Sequence, residues 1–273
     1  MGGKTTFVGG LYSHAEKQDD IFVSYHIQIG PEAWEDHVIS PLFEQHQYPH
    51  QNPEPYIVEF RLKSNSFARP TITVLDFPGE VIEDDRHEQP WEQQQNEETV
   101  RQQYDELNIG ESRNQSLMPE DWNTILTHEY FQSDNLIFLL NLYKLLMTDQ
   151  PAPPYDADDL RRVAKDKNVA VVATGTDILN RKPDEDVVSN GGILDYIWNS
   201  GSPVDSELLD AINDATPPSQ VTNILNTVRM EDDISFFGVA VPSREPGEDD
   251  RPVATEDGGI ETWGFGNVVR WVS

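Results

Sequence analysis

A chain of 273 residues with 49 acidic against 19 basic side chains has a formal net charge of −30, and its apolar fraction of 37% suffices for one α/β domain with insertions. The acids run from Glu16 to Glu261 rather than gathering toward one basic partner, so the surface repels nucleic-acid phosphate and anionic membrane. Its self-repulsion is tolerable only under screening salt, which points to a halophilic source such as a haloarchaeon, and lysine is scarcer than arginine, seven against twelve. The absence of cysteine excludes disulfides and thiolate metal sites. Residues 1–10 lack the apolar core of a secretory signal and no run of about 18 apolar residues occurs, so a cytoplasmic protein without a membrane span is expected.

Residues 4–17 read as a helix opening directly on a glycine-rich start, with Phe7, Val8, Leu11 and Tyr12 at helical spacing. Residues 20–29 read as a strand stopped by Gly30-Pro31, residues 33–45 as a helix, and residues 46–55 as a proline-punctuated loop. Tyr56-Ile57-Val58-Glu59-Phe60-Arg61-Leu62 and Thr71-Ile72-Thr73-Val74-Leu75 are two strands of a hairpin joined by the polar residues 63–70. Residues 81–121 turn to Glu, Gln, Asp and Asn, which predicts a solvated helix or mobile insertion within one domain spanning residues 1–273. A helix over 122–131 leads into Asn135–Asn141, a nearly continuous apolar strand of the kind buried on both faces. A short helix over 157–167 feeds a second such strand over 169–173. Helices are predicted over 193–198, 206–212 and 219–229, a last strand over 234–241, and a closing helix over 267–272. This alternation implies a mostly parallel α/β sheet. His46 and His50, without cysteines or a helical carboxylate pattern beside them, read as loop residues rather than a metal pair. The six tryptophans lack interleaved basic residues and read as core rather than as a stacking surface for nucleic acid.

In such a sheet the loops at the carboxyl ends of the strands meet at one edge, where ligands bind. Four motif-bearing loops fall there, at residues 2–5, 76–79, 174–177 and 242–244. Gly3-Lys4-Thr5 matches the end of the pattern G-x-x-x-x-G-K-S/T, whose backbone N–H groups cradle phosphate, whose lysine reaches the β/γ oxygens and whose hydroxyl binds Mg²⁺. Asp76-Phe77-Pro78-Gly79 closes a predicted strand. Asp76 there would hold the metal directly or through water, and the Gly79 N–H would face a γ-phosphate.

Residues 1–6, Val74-Leu75-Asp76-Phe77-Pro78-Gly79-Glu80 and Val171-Val172-Ala173-Thr174-Gly175-Thr176-Asp177 resemble, in order and spacing, the P-loop GTPases of the translation-factor and Ras-like class, and within it prokaryotic double-GTPase-like proteins. The resemblance implies a three-layer Ras-like fold with a mostly parallel sheet, one antiparallel strand, and a first strand lying between the strand that ends at Asp76 and Asn135–Asn141. That strand and the first glycine of the loop would precede Met1, so an upstream start or a truncated chain is expected. The implied ligands are GTP and GDP with Mg²⁺: Gly2, Gly3, Lys4, Thr5 and Thr6 on the phosphates, Thr5 and Asp76 on the metal, and switch loops that order around the γ-phosphate. The guanine-reading motif N/T-K-x-D becomes Thr174-Gly175-Thr176-Asp177, with Asp177 accepting from the base and Gly175 in place of the lysine. Adenine, and hence an ATPase, stays open as an alternative. Ser243 stands at the last base-contacting loop. The other role open to Asp177 is to cap a helix starting at Ile178. Lys4 and Glu80 are the catalytic candidates, Glu80 occupying the place of the glutamine that orients attacking water. No threonine occurs between Thr6 and Thr71 to serve the first switch, and Ser40 is its substitute. Arg61 and Arg69 read as balancing the acidic surface. Two readings result: a Mg²⁺-dependent GTP-binding switch with slow hydrolysis and an unidentified protein partner, or a degenerate P-loop scaffold without hydrolysis.

Overall fold

A computed structural model describes residues 3–17, 22–49, 56–62, 71–76, 89–92, 96–109, 118–147, 153–188, 202–245, 249–256 and 259–272. Helix α1 (Gly3–Lys17) opens the chain where the sequence predicts it. Its mid-helix Gly9 and Gly10 each cost about 1 kcal/mol relative to alanine. Packing explains them: a Cβ on Gly9 would stand 2.1 Å from Leu42 Cδ1, and one on Gly10 2.2 Å from Phe265 Cζ.

Strands β1 (Phe22–Ile29), β2 (Tyr56–Leu62) and β3 (Thr71–Asp76) form an antiparallel sheet in that order. The predicted hairpin has its register from Tyr56↔Asp76 to Arg61↔Thr71. Between β1 and β2, Gly30 at φ 67° and Pro31 start α2 (Pro31–Trp34), which widens into a π-type helix over Glu35–Glu44. The ordinary helix expected over 33–45 is disturbed by Pro41, which has no N–H to donate and whose ring crowds the carbonyl four residues back. Even so, Val38 and Leu42 reach α1 and are fully buried.

Strands β4 (Asn135–Asn141), β5 (Asn168–Thr174) and β6 (Ile234–Val239) form a parallel sheet, again in sequence order. The molecule is therefore α/β, but its described strands make two three-stranded sheets rather than the single mostly parallel sheet expected. Among the described residues β3 and β4, the strands expected to flank the first strand, each pair on one side, and α1 packs on both. β5 and β6 are buried from Val169 to Thr174 and from Ile234 to Val239, as their sequences predict. β4 packs on both faces but less deeply: Phe138 and Leu140 are buried in the core on one face, while Ile137 and Leu139 are partly buried against the core on the other.

Helices cover both faces. One core joins α1 (Phe7, Val8, Leu11) and α9 (Phe265–Val272) to Tyr56, Val58 and Phe60 of the antiparallel sheet and to Ala170, Val172 and Phe237 of the parallel one. The opposite face of the parallel sheet is filled by α6 (Ala157–Val163), α7 (Ser206–Asp214) and α8 (Ser219–Met230). Asp156 and Asp205 cap α6 and α7 through their carboxylates. Behind the antiparallel sheet, Ile57 meets Trp122 and Ile125 of α4 (Pro119–Gln132). The polar stretch 81–121 contributes α3 (Glu97–Glu106), which packs on α4 and buries Val100, while Tyr104 and the following Leu107 pack against the cluster of Ile57, Trp122 and Ile125. A short α5 (Leu142–Met147) succeeds β4, and a hairpin of β7 (Ser243–Glu245) and β8 (Asp249–Pro252) succeeds β6. The helix predicted over 193–198 lies outside the described residues. No helix among the described residues is long and apolar enough to cross a membrane.

Candidate functional site

The carboxyl edge of the parallel sheet is level. Asn141, Thr174 and Val239, the last residues of their strands, stand opposite one another in register. Three adjacent strands ending together create a shelf, and the segment that leaves each strand end decides which groups the shelf presents. After β5 the chain turns at Gly175, whose φ of 75° is a left-handed conformation that glycine adopts without strain. The Gly175 N–H donates to the Val239 carbonyl at 3.0 Å, tying this turn to the end of β6. A 3₁₀ turn over Thr176–Leu179 then presents Asp177.

The Asp177 carboxylate reaches across to the segment after β6. Its Oδ2 accepts from the Ser243 N–H at 3.0 Å and from the Ser243 Oγ–H at 3.3 Å. Two loops separated by 66 residues are thus joined at one carboxylate. Engagement by Ser243 gives Asp177 a tertiary partner that a purely local cap on the helix at Ile178 would lack.

A cleft opens on this shelf, about 540 Å³ including the part open to solvent. Thr174, Gly175, Asp177 and Ile178 line it from the β5 side, and Val239, Ala240, Val241 and Ser243 from the β6 side. Asn141 and Tyr143 close it beside β4, while Thr6, Phe7, Tyr48 and Phe265 form the wall toward α1 and α9. The Tyr48 hydroxyl donates to the Val241 carbonyl at 2.7 Å and fixes that wall. Thr6 Oγ1 is buried and has no hydrogen-bond partner among the described residues. Among the described residues lining the cleft, Asp177 is the one carboxylate and no lysine or arginine joins it. Chemically, this end of the cleft suits a ligand edge that donates hydrogen bonds, flanked by apolar and aromatic surface.

Of the residues singled out from sequence, Thr6, Thr174, Asp177 and Ser243 meet in this cleft. Gly3, Lys4 and Thr5 form the first turn of α1 immediately before Thr6; Lys4 is partly buried and Thr5 is buried. Asp76 is the last residue of β3, opposite Tyr56. Gly2, Gly79 and Glu80 lie outside the described residues. Among the described residues no group of three or more His, Asp or Glu side chains is gathered for a metal ion. Of the two positions expected to hold Mg²⁺, Thr5 is buried in the first turn of α1 and Asp76 ends β3. Ser40, the substitute for a switch threonine, instead donates to Glu44 Oε2 at 2.8 Å within the π-helix.

Sequence reasoning missed Tyr48, Asn141, Tyr143 and Phe265. Asn141 carries a readable signal, since a polar residue ending an apolar strand marks the same shelf as Thr174. The other three reach the cleft through tertiary packing alone.

A second titratable cluster sits between α3, α4 and β2. The Tyr104 ring stacks on His128 with centroids 3.7 Å apart and planes 10° from parallel, and His128 Nδ1 lies 3.4 Å from Glu129 Oε1. Burial, aided by the charges of Glu129, Asp105 and Glu59, pushes the Tyr104 hydroxyl up to about 12. Burial likewise raises the Glu129 carboxyl, against the lowering influence of His128. Glu59 is held by Arg61 at 2.7 Å and by Gln28 at 3.4 Å, which supplies the sheet side of the cluster.

Comparison with protein-family models, with curated proteins and with solved structures found no match to this chain.

Proposed function

We propose that the chain is a purine-nucleotide-binding protein of the P-loop GTPase type, acting as a slow GTPase switch. The observation that carries this reading is the convergence of Asp177, held by Ser243, with Thr6 of α1 in one cleft at the carboxyl edge of a parallel sheet. The base lies over the β5 and β6 loops. Guanine presents N1–H and an exocyclic amine as adjacent donors, which the Asp177 carboxylate accepts; adenine turns a lone pair at N1 toward the same oxygen and is disfavoured. Ser243 fixes the carboxylate so that it need not reorganise on binding. The phosphates extend toward the first turn of α1, where the helix N-terminus, Gly3 and the Lys4 ammonium offset their charge. Thr5 and Asp76 are the residues that would hold Mg²⁺, which would supply charge neutralisation for phosphoryl transfer. Glu80 is the residue to orient the attacking water. The charge of −30 supports a halophilic cytoplasm as the setting.

A second reading has its own support. Among the described residues no strand joins β3 to β4, on both of which α1 packs, and Gly175 replaces the lysine of the base motif. Both features favour a scaffold that retains the cleft without hydrolysis.

Binding of labelled GTP in multimolar KCl with Mg²⁺, competed by GDP and ATP, separates these readings. The switch reading expects displacement by GDP but not by ATP, loss of binding on Lys4→Ala, and loss of the guanine preference on Asp177→Ala. Folded protein that binds neither nucleotide would overturn it.

A further inference from the structure

Among the described residues the cleft offers one carboxylate to a donating ligand edge, Asp177, and four aromatic rings, Phe7, Tyr48, Tyr143 and Phe265. A flat heterocycle held by its edge also needs a face to lie against, and the four rings differ in what they can offer. Phe7 and Phe265 are 4% and 1% exposed and pack on each other with centroids 5.7 Å apart, so their faces are spent in the core. Tyr48 is buried with its hydroxyl committed to the Val241 carbonyl. Tyr143 is the cleft aromatic that retains solvent-accessible surface.

Its placement is built in. The Asn141 Oδ1 accepts from the Lys144 N–H at 3.2 Å and caps the start of α5, holding Tyr143 in the first turn of that helix. Directly opposite is Gly175. A Cβ there would lie 3.8 Å from the Tyr143 backbone nitrogen and 4.0 Å from its Cβ, so the Gly175 turn runs beside the start of α5. At φ 75° an L side chain at Gly175 would be strained, so the β5 turn leaves Tyr143 as the ring beside the Asp177 turn.

We infer that Tyr143 is the stacking platform of this cleft, receiving the face of a purine whose edge is read by Asp177. This assignment rests on the nucleotide reading above and adds a specificity-determining residue to it: the ligand must carry a flat aromatic ring, and the ring must reach Tyr143. Base–aromatic stacking is independent of phosphate charge, so it serves a nucleoside as well as a nucleotide.

Titration of the full chain with guanosine and with GDP, in the same high-salt Mg²⁺ buffer, tests the assignment, with the guanine H8 proton tracked by NMR. Native protein and Tyr143→Phe are expected to bind both ligands and to shift H8 upfield by the ring current. Tyr143→Leu, which keeps apolar bulk at the position, and Tyr143→Ala are expected to lose that shift and to weaken both ligands roughly 5- to 100-fold. Unchanged affinity and an unchanged H8 shift in Tyr143→Leu, with the guanine preference lost in Asp177→Ala, would overturn the stacking role while leaving the nucleotide reading standing. Absence of binding of both ligands by folded native protein would overturn both.

Discussion

The two half-sheets spend similar apolar sequence on different ends. In the parallel half, β5 and β6 bury every residue from Val169 to Thr174 and from Ile234 to Val239, and their carboxyl ends carry Thr174, Asp177 and Ser243 into one cleft. Val74 and Leu75 of β3 and Ile137 and Leu139 of β4 are as apolar, yet each stays partly buried. The difference lies in pairing. β5 has a hydrogen-bonded strand on both sides, and β6 is bonded on its outer side by Pro203 and Asp205, whereas β3 and β4 are each paired on one side among the described residues. Apolar content thus selects a strand, but neighbours decide how deeply it is buried and how firmly the loop at its end is held.

The largest expected effect breaks the parallel half at the end of β6. Gly264 has a φ of 75°, and a Cβ there would stand 2.0 Å from the Gly238 carbonyl oxygen, a backbone atom that cannot swing away. Gly264→Ala should cost on the order of 3 kcal/mol through backbone strain and collision together, read as a lower midpoint in chemical denaturation. Gly266→Ala, two residues on, is the matched control. Its Cβ would meet Arg270 atoms no closer than 3.6 Å, and a helical alanine there should leave stability unchanged or raise it by up to about 1 kcal/mol.

The next effect falls on the helix shared by both halves. Gly10→Ala drives a methyl into the Phe265 ring, 2.2 Å away, while gaining helix propensity. The net loss should be roughly 1–2 kcal/mol. Because α1 packs on both β3 and β4, amide exchange should quicken in the two half-sheets together. Faster exchange confined to one half would show that α1 does not couple them.

The smallest effect belongs to the antiparallel half alone. The Tyr104 hydroxyl is raised from an ordinary 10.0 to about 12, so the folded state holds that proton more tightly than the unfolded chain does. Its contribution to stability is complete below pH 10 and is lost as pH rises through about 12. Glu129 is raised too, so its contribution is present at acid pH and falls as pH rises past the ordinary carboxylate range. Tyr104→Phe should therefore flatten the alkaline part of the stability profile, measured by exchange at β2 and α4, and leave the parallel half unaffected. An alkaline profile that Tyr104→Phe does not alter would place the responsible group elsewhere.

Much of the fold was legible in the residues. Helix α1 and the β2–β3 hairpin lie where apolar spacing and turn chemistry put them, and β5 and β6 are as buried as their unbroken apolar runs predict. Helix α3 was partly hidden. Val100, Tyr104 and Leu107 recur at helical spacing, but glutamates and glutamines around them gave the stretch a solvated reading. The π-type helix was hidden as well, since Pro41 forbids a regular turn without specifying which irregular one replaces it.

Within the cleft, sequence alone selected Thr6, Thr174, Asp177 and Ser243, because phosphate- and base-contacting loops come directly after strand ends and strand ends are local features. Tertiary structure alone decided that one Asp177 oxygen is shared by the two donors of Ser243, and that Tyr143 stands against Gly175 while Phe7 and Phe265 turn into the core. The reason is physical. The propensity to end a strand or turn at glycine resides in a few consecutive residues, whereas the exposure of a ring depends on every element packed around it.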